Sequence, residues 1–222
     1  MRIEQNGEMS GRQLTSEDSL TSAQYRDIAF LIYETDPFIY PALFFSEGGD
    51  SPEQNAIRIL SESIQRNDDR MFCKDNLYVF GTADCIAGMI LWHEGALNWK
   101  PDSLMKIAAS LSVHLSERNV QKVREEYFEK YDEANETRTL SLINLCVRDI
   151  FRGKGVGSSM LEGFLADHRQ QTAELCVLSA NRKAIQLYQN HGFEIIRHYS
   201  GFSLSDEKPL CLELRRNAGM KS

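Results

Sequence analysis

The stretch LSLINLCVRDIFRGKGVGSSMLEGFLADHR, Leu140 to Arg169, joins three patterns in succession. Leu140 to Val147 is an apolar run rich in strand formers, and it breaks into a turn with glycine at every second position, Gly153, Gly155 and Gly157. Beyond the turn, Val156, Met160, Leu161, Phe164 and Leu165 recur at the spacing of one helix face. A helix that begins this way presents several backbone N–H groups without intrahelical partners, at the end where the macrodipole amounts to roughly half a positive charge. The glycines leave that end open to close approach, and Arg152 and Lys154 add full charges suited to phosphate. The turn therefore reads as an anion site.

On the C-terminal side, AELCVLS reads as a strand, RKAIQLYQNHG as a helix, and FEIIRHYS and LCLELRR as two strands. This is a βαβ unit followed by a helix and a closing antiparallel pair. On the N-terminal side, NLYVFGT and CIAGMILWHE flank Ala83-Asp84 and predict a hairpin. Between hairpin and βαβ unit, PDSLMKIAASLSVHL and the acid-rich ERNVQKVREEYFEKYDEANE read as helices. We take 95–139 as a helical insertion in a single domain spanning 1–222, because about forty residues rarely support a core of their own. Earlier still, RQLTSED reads as a short strand entering a helix, SAQYRDIAFLIYETD, with Ser16 or Thr15 as cap and Ile28, Ala29, Leu31, Ile32 and Tyr33 inward. Pro37 stops that helix, FIYPALFF makes an aromatic connection, and SPEQNAIRILSESIQRN forms a second helix with Pro52 at its first position behind Ser51.

Composition sets the bounds. A chain of 222 residues, 42% hydrophobic and 26% charged, can bury about 70% of its unfolded surface. The formal charge of −7 disfavours the basic stripe that nucleic acid requires. No run approaches a membrane span, and the first thirty positions lack the apolar centre of a secretory signal, so we expect a soluble cytoplasmic protein with neither membrane nor nucleic acid as partner. Five cysteines without a CxxC pair read as small buried thiols, which points to no metal and no disulfide framework.

Spacing then sorts the phosphate motifs. A P-loop needs a glycine five before Gly153, where Arg148 stands, and Ser or Thr straight after the lysine, where Gly155 stands. A dinucleotide fingerprint needs a third glycine where Ser158 stands, and an acid ending the next strand, whereas Glu174 reads as preceding it. What remains is Arg-x-x-Gly-x-Gly, RGKGVG from Arg152 to Gly157, followed by the cluster NRKAIQLYQNHGF. On these two motifs and the order of elements from Asn76 to about Arg216, the chain resembles the GNAT superfamily of N-acetyltransferases.

The resemblance implies an α/β fold with a mixed, mostly antiparallel sheet of about six to seven strands, splayed at the cofactor site and flanked by helices. It implies acetyl-coenzyme A as cosubstrate, with the pyrophosphate on the backbone amides of Arg152, Gly153, Lys154, Gly155, Val156, Gly157 and Ser158, and the pantetheine arm alongside Leu145, Cys146 and Val147. Asn181 would contact that arm, and serves equally well as a helix cap. Tyr188 would protonate the departing thiolate, or pack as a core aromatic, while Gly192 ends its helix. A backbone N–H near Val147 would stabilise the oxyanion, and Cys146, without a convincing His and Asp, is not read as a nucleophile. For the proton acceptor, Glu94, His93 and a water held by Asn144 stay open. The acceptor is an amine of a small molecule or a protein; Glu125, Glu126, Glu129, Asp132, Glu133 and Glu136 would attract a cation or simply form a solvated face, and Phe38, Tyr40, Phe44 and Phe45 would line a pocket or pack the first two helices. A homodimer is compatible with all of this. The rival reading is a coenzyme A sensor without turnover.

Overall fold

The computed structural model describes residues 9–47, 49–95, 99–128 and 139–219. Their strands form one seven-stranded sheet, Ser10–Gln13 (β1), Leu77–Thr82 (β2), Cys85–Glu94 (β3), Thr139–Val147 (β4), Thr172–Leu178 (β5), Glu194–Ser200 (β6) and Leu210–Arg216 (β7), in the order β1-β2-β3-β4-β5-β7-β6. All neighbours are antiparallel except β4 and β5. That parallel step is the crossover the glycine turn opens.

Helices cover both faces because the strands carry apolar side chains on both. Against one face lie Ser22–Glu34 (α1), Ile39–Leu43 (α2), Pro52–Arg66 (α3), Asp102–Ser110 (α4) and Glu117–Val123 (α5), which share one buried cluster including Ile28, Leu43, Ile59, Leu104 and Val123. Against the other lie Val156–Asp167 (α6) and Arg182–Asn190 (α7), with Met160, Phe164, Ile185 and Tyr188 in a second cluster. A π turn, Arg124–Phe128, continues α5. The remaining acids of that stretch, Glu129, Asp132, Glu133 and Glu136, lie outside the described residues.

Three local expectations need correction. The cap of α1 is Thr21, not Thr15 or Ser16, because Gln24 sits three residues on and completes a reciprocal capping box. Tyr33 is only half-buried, and Tyr25 takes the inward place. FIYPALFF is not mere connection: its centre turns into α2. Pro52 and Ser51 behave as the sequence predicts, with Ser51 Oγ accepting from the Gln54 N–H.

Strand β4 shapes the site. Its first residues, Thr139–Leu142, pair with β5, and Leu140–Leu142 pair with β3 as well. At Ile143 the register against β3 slips, since Trp92 faces Leu142 and Leu91 faces Asn144, leaving Ile143 as the extra residue of a bulge. One extra residue inverts every side chain beyond it. Leu140 and Leu142 face α6 before the bulge, whereas Leu145 and Val147 face it afterwards and Cys146 turns to the α1 side. Past Leu142, β4 has no register with β5, whose Cys176–Leu178 pair only with β7. The sheet opens there.

Candidate active site

Arg148 donates its backbone N–H to Ala87 O (2.9 Å), so it bonds toward β3. Alternation along a strand then turns the N–H and C=O groups of Val147 and Leu145 toward the gap. The gap holds a cavity of about 460 Å³. Ile143, Asn144 and Leu145 form one wall, Leu175 to Leu178 the other, and Asn181, Ala184 and Tyr188 of the following helix line it as well. A volume of this size suits a small ligand or the reactive end of a larger one.

The glycine turn stands at the outer end of β4. A 3₁₀ turn, Asp149–Phe151, leads to Arg152, and Gly153 and Gly155 follow at φ 74° and 82°, the left-handed region that side chains with a Cβ avoid. An added Cβ at either position meets nothing within 4 Å, so conformation, not crowding, demands glycine. The first bond of α6 runs from the Ser159 N–H to Gly155 O (3.0 Å), which places the N–H groups of Val156, Gly157 and Ser158 ahead of the ladder. Gly155, the N-cap residue, has no side chain to cap them. Gly157 sits between β4 and α7, its Cβ position 3.5 Å from Val147 and 3.7 Å from Leu187. Ser158 Oγ lies 3.0 Å from His191 Nε2, tying the start of α6 to the end of α7.

Lys154 and Arg152 supply positive charge at the exposed turn, and Arg152 also reaches inward. Its Nε donates to Val147 O (2.7 Å), and its guanidinium pairs with Asp149 and, at 3.4 Å, with Glu34. Burial raises the Glu34 carboxyl above its usual range and Arg152 pulls it back.

Residues 109–195 match the family profile described as acetyltransferase (GNAT) domain. The chain has the fold of a GNAT acetyltransferase, and residues 109–195 carry the family match. An N-acetyltransferase of Staphylococcus aureus Mu50 superimposes with a TM-score of 0.61 over 93% of this chain and 99% of that one, at 16% identity. Naa50 of Arabidopsis thaliana, solved with the bisubstrate analogue CoA-Ac-MVNAL, superimposes with a TM-score of 0.50 over 94% of this chain and 98% of that one, at 15% identity. At such identities the likeness is one of fold. A probable serine/threonine-protein kinase of Dictyostelium discoideum is 42% identical over 52 residues; the chain spans 7% of that protein's length, and the match takes in 22% of this chain.

Within this GNAT fold the cavity brings together Leu145, Asn181 and Tyr188, while Arg152 to Ser158 lie outside its lining at the end of the same strand. Asn181 is the N-cap of α7, its Oδ1 accepting from the Ala184 N–H at 3.2 Å, which leaves its amide nitrogen uncommitted among the described residues. Tyr188 is both core residue and cavity residue: its ring packs on Phe193 at 5.7 Å and its side chain lines the space. Burial holds its phenol protonated far above the ordinary value, with the Cys146 thiol adding a smaller push. Cys146 is turned to the α1 side by the bulge, and burial lifts its thiol to about 11. It carries no thiolate at neutral pH.

Of the sequence candidates for proton acceptor, Asn144 reaches the cavity and His93 and Glu94 do not line it. Asn144 is committed on both sides, accepting from Tyr40 OH at 2.7 Å and donating to Thr35 Oγ1. Phe38 and Tyr40 line the cavity as one sequence reading had it, whereas Phe44 is core and Phe45 is outside. Glu174 lies within β5, not before it. The far rim comes from Asp36 in the loop after α1, Glu126 and Tyr127 in the π turn, and Tyr199, Phe202 and Lys208 from the β6–β7 region. Glu126 reaches the cavity as one of the acids read as drawing a cation, whereas the Asp36-Pro37 pair marks only a helix stop in the sequence.

Among the described residues, no group of three or more His, Cys, Asp or Glu could hold a metal ion, and no helix is long and apolar enough to cross a membrane.

Proposed function

We propose that the chain is an acetyl-coenzyme A dependent N-acetyltransferase that transfers the acetyl group directly to a primary amine. The observation that carries this reading is the parting of β4 from β5 after Leu142, with unpaired N–H groups of a helix start at its outer end and a lined cavity within. The residues present fit the cosubstrate: the turn from Arg152 to Ser158 offers main-chain donors and the Lys154 ammonium to a diphosphate, and the gap-facing groups of Leu145 and the N–H of Val147 offer strand-like pairing to an amide-bearing arm. Acetyl-coenzyme A, when bound, supplies a thioester already activated for acyl transfer. Asn181, whose Oδ1 caps the next helix, would hold the arm through its amide nitrogen, and Tyr188, kept protonated by burial, would give its proton to a departing thiolate. The Val147 N–H faces the gap and would meet negative charge developing on the thioester oxygen.

The remaining demand falls on the acceptor. An alkyl ammonium has a pKa near 10.4, so presenting the neutral amine at pH 7 costs roughly 4.6 kcal/mol, at 1.36 kcal/mol for each of about 3.4 units. Release of coenzyme A thiol in the presence of an amine panel tests the reading. Acceptor-dependent thiol release supports it; tight acetyl-coenzyme A binding with no release over the panel would favour the sensor.

A further inference from the structure

The carboxylates along the cavity differ in one respect. Glu126 is countered by Lys208 at 3.2 Å and Lys122 at 3.9 Å, Glu174 by Arg215 at 2.5 Å, and Glu213 by Arg197 at 2.6 Å. Asp36 also lines the space, yet no cation stands within 4 Å of it among the described residues. Its Oδ1 is held by two backbone donors, the N–H groups of Phe38 and Ile39, both at 2.7 Å, and Oδ2 has no hydrogen bond there. The loop thus fixes one oxygen and presents the other.

A carboxylate taken from water without a countercharge is costly, and the cost is recovered when a cation arrives. The surroundings specify which cation. Phe38, Tyr40, Tyr127, Tyr199 and Phe202 line the same cavity, so an ammonium would enter with an apolar body behind it and aromatic faces beside it. Tyr40 cannot compete for the proton, because its hydroxyl donates to Asn144 and burial, with Asp36 adding to it, raises its pKa well above the ordinary phenol value. We propose that Asp36 Oδ2 is the anchor and proton acceptor for a primary ammonium carried on an apolar group. Burial raises the Asp36 carboxyl above its usual range against the lowering effect of the Ile39 and Phe38 amides, which brings it nearer the pH at which it takes up a proton.

Resting on the acetyltransferase reading, the step balances as follows. The ammonium gives one proton to Asp36 Oδ2; the freed lone pair forms the C–N bond at the thioester carbon; the C–S bond breaks and its electron pair leaves on sulfur. The thiolate takes the proton of Tyr188, the new amide nitrogen loses its surplus proton to the tyrosinate, and Asp36 releases its proton to solvent. One ammonium and one thioester yield one amide, one thiol and one proton.

The test uses Asp36→Asn, which keeps an Oδ1 acceptor for Phe38 and Ile39 and removes only the charge. Phenethylamine and its neutral counterpart 2-phenylethanol are titrated into both proteins without cosubstrate, followed by turnover with phenethylamine and with a short peptide beginning with leucine. We expect phenethylamine to bind the variant at least 30-fold more weakly while 2-phenylethanol changes by less than twofold, with kcat/KM for the amine falling at least 100-fold and the acetyl-coenzyme A Kd holding within twofold. Equal weakening of amine and alcohol, or no weakening of either, overturns the assignment of Asp36. Charge-selective weakening without turnover in the wild type leaves the ammonium site standing and sinks the acetyltransferase reading instead. Which of the two acceptors turns over faster separates a small amine from a peptide as the source of the ammonium.

Discussion

The gap in the sheet is bounded by main chain at one end and by side chains at the other. At the outer end, the turn Arg152 to Ser158 works through N–H groups that exist whatever the side chains are, provided Gly153 and Gly155 can take positive φ. At the inner end, Asp36, Tyr40, Asn144 and Tyr188 are brought from three separate parts of the chain, and each acts through one side-chain group. A backbone site tolerates variation in everything but conformation and access; a side-chain site can be retuned by single substitutions. The two ends are therefore expected to fail differently when changed.

The largest effect is expected at the backbone end. Gly155→Asp keeps a residue type that enters the left-handed region more readily than most, so the fold should survive with a small loss. Its carboxylate, however, would stand beside the donors of Val156, Gly157 and Ser158 and compete with any phosphate. Calorimetric titration of acetyl-coenzyme A should show affinity reduced at least 100-fold with the melting temperature little changed. Affinity retained within threefold would mean that the turn does not grip the cosubstrate.

Tyr188→Phe probes the other end. The ring contact with Phe193 survives and only the hydroxyl goes, so acetyl-coenzyme A should bind as before while kcat drops about 100-fold, the lower end of the usual worth of a general acid. Because burial moves this phenol upward, Tyr188 should contribute no limb to the pH profile of kcat through the neutral range; its loss should scale the profile and leave its shape. Unchanged kcat at saturating substrates would return Tyr188 to the core alone.

The same contrast explains what was legible in the sequence. The glycine turn was readable because its chemistry is local: three alternating glycines between a strand and an amphipathic helix state their own φ and their own open N–H groups. The opening of the sheet was also written in β4, in a form easy to overlook. The large apolar side chains of LSLINLCV fall on Leu140 and Leu142, then on Leu145 and Val147, a change from even to odd positions that marks the bulge at Ile143. Asp36 and Lys208 carried no such mark, since their meaning depends on loops that meet only after folding, and an acid before a proline looks like any helix stop. His93 and Glu94 misled for the converse reason: proximity to a strand end in sequence does not decide which face or end of the sheet the gap occupies.

The smallest effect is expected at Asn181, where the two kinds of contact meet in one residue. Its Oδ1 caps α7 and its side chain lines the cavity, so a single substitution confounds the two roles. A pair of substitutions separates them. Asn181→Ala removes cap and amide together and should cost about 1 kcal/mol of stability. Asn181→Ser keeps a capping oxygen for the Ala184 N–H and removes only the amide nitrogen, so thermal unfolding should stay near that of the wild type. If the amide holds the pantetheine arm, the serine variant should still bind acetyl-coenzyme A several-fold more weakly, to nearly the same extent as the alanine variant. If the serine variant binds as tightly as the wild type and only the alanine variant loses affinity, the contribution of Asn181 is the positioning of α7, and with it of Tyr188, and the cosubstrate arm is held by the strand alone.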